Sequence, residues 1–426
     1  MLTWIVAHSE SLCNFLTPLL IGFSPAQLRH ALNCIEALLV SSSKHKTLSA
    51  LTRLLRLPHA DEFALADFFR TSPWENAPIQ KALTLFLVQV VCQIQQRTGW
   101  RLLFLRIDDA LCPKDVDTQA LEAVSFHYDH CQPRRQKGNF TNSSRYVTLG
   151  LQLGSVQFVL AWRLYLPFKL IKQLNRARPA ETKLPFHKLP SLVIQMLDEI
   201  APYLPKRCRV YVLFDTWYDN QYLQKKIRSF GWQWICATRS NRNVSDRPLS
   251  HWWSHLNHQR ITPVVVRSAT RRHTYYTRHL VGSLRHYPDP VVAIISKRKQ
   301  RDRSPAYFLC SDTTLSVPTI MKYYGYRWQA EVDNWFLKER FGLADYRVQS
   351  VEAILRWHTL VFAAFAFVQY QRVVPLLKNP KTQLQPTGDI LRDHQREHVR
   401  QTVRCIADLV RQGHSDDELL DLLVPD

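Results

Sequence analysis

The chain predicts an α/β fold with a sheet-bearing middle at residues 97–239 and 306–345, a basic β-rich insertion at 240–305, and helical regions at 1–96 and 346–426. Three observations carry this reading. The apolar or β-branched runs LLFLRI (102–107) and RVYVLF (209–214) each lead into aspartate, as buried strands do in a sheet covered on both faces. Segments before 96 and after 346 space their apolar residues as packed helices do. Between them, runs rich in Val, Ile, Thr and Tyr alternate with basic turns.

In the N-terminal region, LRHALNCIEALLV (28–40) and QKALTLFLVQVVCQIQQ (80–96) have helical periodicity, with breaks at Ser24-Pro25, Ser41-Ser42-Ser43, Pro58 and Pro73. This region is a candidate for DNA binding or for packing against the core. After the strand entering Asp108 comes a polar segment, 112–144, then YVTLGLQL and VQFVLAWRL, joined as a hairpin by Gly154-Ser155. A helix near 190–203 leads to the strand ending at Asp215, followed by a helix at 219–229 and the strand WQWICAT. ITPVVVR, TYYTRHLVGSL and VVAIIS are strands of the insertion, where Trp252, Trp253, Tyr275 and Tyr276 either stack on unpaired bases or, the favoured reading, pack its core. AYFLC (306–310) returns to the sheet, and 351–374 and 390–424 read as helices.

Fifty-six Lys plus Arg against 35 Asp plus Glu leave a net charge of +21, which points to a polyanionic partner. Its distribution is uneven. Residues 1–96 hold seven basic and six acidic side chains, whereas 260–303 hold eleven basic and two acidic. Nine cysteines without paired spacing read as reduced thiols of a cytoplasmic protein. His127, His130 and Cys131, in HYDHC, lack a second ligand pair of matching spacing, so they read as a polar loop. The apolar run 359–368 is too short to span a bilayer and the N-terminus lacks a basic leader, so no membrane association is expected. No Gly-rich phosphate loop or nucleophile elbow is present, which argues against a nucleotide cofactor or a covalent mechanism.

The densest chemical pattern is YGYRWQAEVDNWFLK, from Tyr324 to Lys338. On one helix, Tyr324, Arg327, Glu331 and Lys338 fall within an arc of roughly 60° at about 100° per residue. A carboxylate flanked by Arg, Lys and a tyrosine hydroxyl suits an acid that holds a metal while cations grip a phosphodiester. The plain alternative is a solvated helix face with an Arg–Glu pair. Upstream, Asp215 ends one strand, with Asp219 a weaker rival. At the other strand Asp108 and Asp109 compete, because alternation allows only one to share a given face.

Tyr, two residues, Arg, three residues, Glu, six residues, Lys resembles the Y-R-E-K signature of DDE transposases of bacterial insertion sequences. With the two upstream aspartates the resemblance covers about residues 98–345, and it implies a ribonuclease-H-like core with a β insertion before the Glu. It also implies that Asp108 (preferred to Asp109), Asp215 and Glu331 are catalytic and hold two Mg²⁺ ions, which Mn²⁺ can replace. Tyr324, Arg327 and Lys338 would grip the DNA end, and the charge bias adds Arg271, Arg272, Lys297, Arg298 and Lys299 as DNA contacts. Ala110 stands where the family pattern has Thr. The implied activity is binding of terminal inverted repeats, metal-dependent strand cleavage and transfer of 3′ ends to target DNA by a homodimer on double-stranded DNA. The alternatives are an inactive DNA-binding derivative and a structure-selective nuclease.

Overall fold

The computed structural model describes residues 8–55, 62–129, 139–256, 261–267, 272–299, 302 and 304–423. Among the described residues five α-helices come first: α1 (Glu10–Leu16), α2 (Pro25–Val40), α3 (Leu48–Thr52), α4 (Glu62–Arg70) and α5 (Asn76–Thr98). Ser24 and Gln27 close a reciprocal capping box on α2, with Pro25 in its first turn. Gly99, at φ +69°, ends α5 in the left-handed conformation that glycine adopts without steric cost.

The strands are β1 (Leu102–Pro113), β2 (Ser125–Tyr128), β3 (Phe140–Leu153), β4 (Val156–Tyr165), β5 (Arg209–Phe214) and β6 (Gln233–Thr238). A two-residue ladder, β7 (Asn243–Val244) with β8 (Arg247–Pro248), precedes β9 (Thr262–Arg267), β10 (Arg272–Gly282), β11 (Val291–Lys297) and β12 (Ala306–Cys310). Between strands run α6 (Phe168–Leu174), α7 (Leu189–Ile200), α8 (Gln221–Ser229) and α9 (Leu249–His255). The chain closes with α10 (Val317–Gly325), α11 (Trp328–Glu339), α12 (Val351–Lys378), α13 (Thr387–Arg411) and α14 (Asp416–Leu423).

Among the described residues ten strands form one mixed sheet in the order β2-β3-β1-β5-β6-β12-β11-β10-β9, with β4 also on β3. β1, β5 and β6 are parallel, and β3 and β4 are antiparallel neighbours on the β1 side. This is the mixed-sheet α/β arrangement of the ribonuclease-H-like fold. Apart from the two-residue β7–β8 ladder, the described strands of the insertion join the central sheet. β9 to β11 continue the central sheet beyond β12 through an unbroken antiparallel ladder.

Alternation along the strands divides the interior. Leu103, Leu105, Ile107, Val212 and Phe214 join the large core. Phe104, Tyr211, Leu213, Ile235 and Ile294 face the other way, beneath Ile320 and Met321 of α10. The apolar run 359–368 lies inside the 28-residue α12, which is longer than the run alone suggests. By length and composition α12 and α5 could each cross a bilayer, yet two thirds of the apolar window of α12 is buried within the protein. α12 packs against α2, α4, α5, α13 and β4, so N- and C-terminal helices close on one another. The eight cysteines among the described residues are free thiols.

Two buried histidines make stability depend on pH. The imidazole of His358, fully buried beside Tyr146, Trp162 and Tyr346, is pushed down to about 3 by burial. His127, hydrogen-bonded to Ser125 Oγ at 3.1 Å, falls to about 4 through burial and then Arg145. His130 and Cys131 lie outside the described residues. The unfolded chain takes up these protons near pH 6.5 and the native chain does not. The contribution of these two groups is therefore fully present above about pH 6.5 and declines below it, towards their native values, by about 1.4 kcal/mol per pH unit per group. Urea midpoints measured from pH 7 to pH 4 should fall less steeply for His358→Leu than for the wild type. Parallel profiles would show that native His358 takes a proton.

Candidate active site

The two aspartates of β1 do not end the strand, as the apolar run before them suggests. β1 continues to Pro113, because β3 pairs with it as far as Ser143. What ends is its parallel partner: the last β1–β5 pair is Arg106 with Leu213. Asp108 and Asp215 each follow that pair by two residues, where the sheet opens. Asp215 is extended and caps the 3₁₀ turn Thr216–Tyr218, its Oδ1 accepting the Trp217 backbone N–H at 2.9 Å.

Alternation separates the acids of β1. Asp108 faces α11: Arg327 Nη1 donates to its Oδ1 at 3.3 Å and Asn334 Nδ2 to its Oδ2 at 3.0 Å. Asp109 points to the opposite face, where Arg145 Nε donates to Oδ2 at 2.6 Å and the Tyr218 hydroxyl to Oδ1 at 2.9 Å. Asp219 is held elsewhere, by Gln224 at 2.8 Å and by Thr238.

Tyr324 and Lys338 do not share one continuous helix, which corrects the simple helical reading. α10 ends at Gly325, Arg327 is the N-cap of α11, and Tyr326, Arg327, Gln329 and Ala330 donate to carbonyls three residues back. The turn tightens at the glycine, where helix propensity is weakest, and where Tyr323, Tyr324 and Tyr326 crowd the aromatic layer of Phe104 and Phe308. The backbone stays right-handed helical through Tyr326 and Arg327, so the stripe survives the break.

Arg327 is the centre of the site. Its Nη2 donates to Glu331 Oε1 at 2.6 Å while Nη1 holds Asp108, so one guanidinium joins strand acid to helix acid. It also lies 5.9 Å from the centre of the Tyr324 ring, which packs edge-on against Phe308. Lys338 is half-buried in the last turn of α11 and has no ion pair among the described residues. Its charge reaches the Cys112 thiol, which burial pushes up to about 12 while Lys338 and Lys114 draw it down.

The electrostatics register an excess of carboxylates. The Asp108 carboxyl is pushed up to about 7, first by burial and then by Asp109, Asp215 and Glu331, with Arg327 opposing. Asp215 is raised by burial and by Asp109, against the Trp217 N–H and the charges of Arg327 and Arg145. The Tyr324 hydroxyl rises to about 12 through burial, with Arg327 opposing and Asp215 adding. Among the described residues no three acidic, imidazole or thiol side chains form a ready-made metal cage, and the Arg327 guanidinium lies between two of the acids. The donors nevertheless fit a hard divalent cation: all are carboxylate oxygens, and their mutual repulsion leaves the cluster short of positive charge.

The structure brings Asp108, Asp215, Glu331, Tyr324 and Arg327 together and keeps the basic residues of the insertion apart. Arg272 in β10 and Lys297 in β11 are five and four strands from β1 in the sheet order, roughly 19–24 Å at usual strand spacing. Arg298 and Lys299 are exposed just beyond β11, and Arg271 lies outside the described residues. Lys297 Nζ sits 4.3 Å over the Trp253 ring, and Trp252 donates its indole N–H to the Val244 carbonyl. Both tryptophans and Tyr275 are packed against cores.

Asn334, Arg145 and Tyr218 have no place in the sequence reading. Asn334 has a legible signal, since it lies three residues past Glu331 near the same stripe. Arg145 and Tyr218 reach Asp109 only through strand pairing and the turn after β5, and no local pattern reveals that.

Two family profiles match this chain: DDE superfamily endonuclease over residues 18–270, and Transposase DDE domain over residues 191–367. The first span contains Asp108, Asp109 and Asp215, and the second contains Asp215 and Glu331. Comparison with curated proteins returns no match. The matched spans run through the strands and helices that assemble this acidic cleft, and the chain belongs to the DDE superfamily of endonucleases.

Proposed function

We propose that the protein is a DNA transposase of the Y-R-E-K group from a bacterial insertion sequence, which binds the element's inverted repeats, cuts them and joins the 3′ ends to target DNA. The observation that carries this reading is the Arg327 bridge from Asp108 to Glu331, beside Asp215, where β1 and β5 part. Asp108, Asp215 and Glu331 are the residues that would hold Mg²⁺, or Mn²⁺ in its place. Bound there, the metal supplies Lewis acidity at the phosphodiester and an activated water or 3′-hydroxyl. Asn334 orients the Asp108 carboxylate, and Arg145 with Tyr218 keeps Asp109 turned to the opposite face. Arg327 has the forked donor geometry to grip a phosphate bidentately, with Lys338 as a second cation about three turns along α11. The working form is a homodimer on double-stranded DNA in the bacterial cytoplasm, associated with the nucleoid, because joining two ends requires two sites.

Purified protein with Mg²⁺ and a duplex carrying the repeats that flank its reading frame should nick at the repeat boundary and join the freed 3′ end to a second DNA. Cleavage without joining would make it a structure-selective nuclease instead. End binding without cleavage in either metal would make it an inactive derivative.

The insertion supplies a separate, salt-sensitive part of binding. Neutralising Arg272, Lys297, Arg298 and Lys299 together should weaken DNA binding and flatten its salt dependence by about one unit of log–log slope per lost phosphate contact. An unchanged slope would mean that this edge of the sheet faces away from DNA.

A further inference from the structure

A second buried ion pair ties the two acid-bearing elements together. Arg106, with no exposed surface, stands two residues before Asp108 on the same face of β1. Asp333, also buried, stands two residues after Glu331 on α11. Arg106 Nη2 donates to Asp333 Oδ2 at 3.1 Å, and its Nη1 donates to Gln152 Oε1 at 3.3 Å. Gln329 donates to Asp333 Oδ1 at 3.2 Å. The guanidinium has room because residue 150 is glycine: a Cβ there would lie 2.9 Å from Nη2.

Half of the buried face of α11, which comprises Ala330, Asp333, Asn334 and Leu337, is polar. An apolar interface tolerates sliding or rotation of a helix on a sheet, since hydrophobic contact has no direction. A buried ion pair is satisfied in one register only, and elsewhere it leaves uncompensated charge in the interior. Replacing such a pair by apolar side chains is often neutral or stabilising, so its best-attested use is to select one arrangement. Here Asp333 meets Arg106 while its neighbour Asn334 meets Asp108, so adjacent residues of α11 engage alternate residues of β1.

We propose that Arg106 and Asp333 are positioning residues: their buried pair sets the register of α11 on β1 and thereby the spacing of Asp108 and Glu331 for metal binding. This rests on the reading of those two acids as metal ligands.

The test uses the full chain and Mn²⁺ as probe, with affinity read by electron paramagnetic resonance, alongside melting temperature, DNA-end affinity and cleavage rate. Arg106→Met/Asp333→Leu should melt at or above the wild-type temperature and bind DNA ends normally, yet lose at least tenfold in Mn²⁺ affinity and in kcat. Gly150→Ala, which keeps both charges but crowds the guanidinium, should lose Mn²⁺ affinity in the same direction by a smaller factor. Asp108→Ala is the reference. Wild-type Mn²⁺ affinity in Asp108→Ala would overturn the reading of the acids themselves. Mn²⁺ binding lost in Asp108→Ala but retained, with full kcat, in the double variant would overturn the positioning role alone. If the double variant does not fold, Gly150→Ala decides: unchanged Mn²⁺ affinity and kcat would overturn the proposal.

Discussion

Alanine at Asp108, Asp215 or Glu331 should abolish strand cleavage while DNA-end binding survives. Metal-assisted stabilisation of phosphodiester charge is worth several kcal/mol, so losing one ligand should cost about a thousandfold or more in rate at 1.36 kcal/mol per tenfold. Binding should persist because the basic surface proposed to supply it is separate from these acids. The structure adds an expectation about the apoprotein. Asp108 is buried and crowded by three other acids, which pushes its carboxyl up to about 7. Asn at this position should therefore leave the melting temperature unchanged or raised above neutral pH, although cleavage is lost. Gel-based cleavage, end binding and melting curves on the same variants check all three parts. Cleavage within tenfold of wild type in any one of them would remove that residue from the metal site.

Arg327→Ala should impair cleavage and end-complex formation together, through loss of the proposed bidentate phosphate grip that would orient the strand for in-line attack. Its effect on stability differs from what an exposed helix charge would show. The Arg327 side chain is only 16% exposed and bridges two carboxylates. Its removal leaves the buried Asp108 without a counter-charge, and Asp108 can answer by taking a proton at neutral pH. That response should hold the destabilisation to about 1–3 kcal/mol, the range for an unsatisfied buried polar group. Lys338→Ala, which breaks no described ion pair, should cost under about 1 kcal/mol and still weaken the end complex. Wild-type cleavage by both variants would mean that this stripe is a helix face without a role in DNA handling.

Much of the fold is legible in local pattern. The runs at 209–214 and 306–310 are strands with the boundaries their composition suggests, and the Gly154-Ser155 turn joins a hairpin in which Gly154 has φ +57°. Where local reading fails, long-range pairing is the cause. β1 outruns its apolar segment because β3 offers partners as far as Ser143. The Tyr324–Lys338 stretch breaks into two helices at Gly325, where Tyr323, Tyr324 and Tyr326 pack against Phe104 and Phe308 from distant strands.

Composition, periodicity and spacing make the α/β class, most of the element order, the candidate acids and the Tyr324–Lys338 stripe legible, because each is a property of neighbouring residues. Four matters belong to the tertiary structure: which of Asp108 and Asp109 faces α11, the seat of Arg327 between two acids, the buried Arg106–Asp333 pair, and the distance of the basic insertion from the cleft. Each joins residues from 36 to more than 200 positions apart or depends on strand order, and no local pattern encodes which strand becomes whose neighbour.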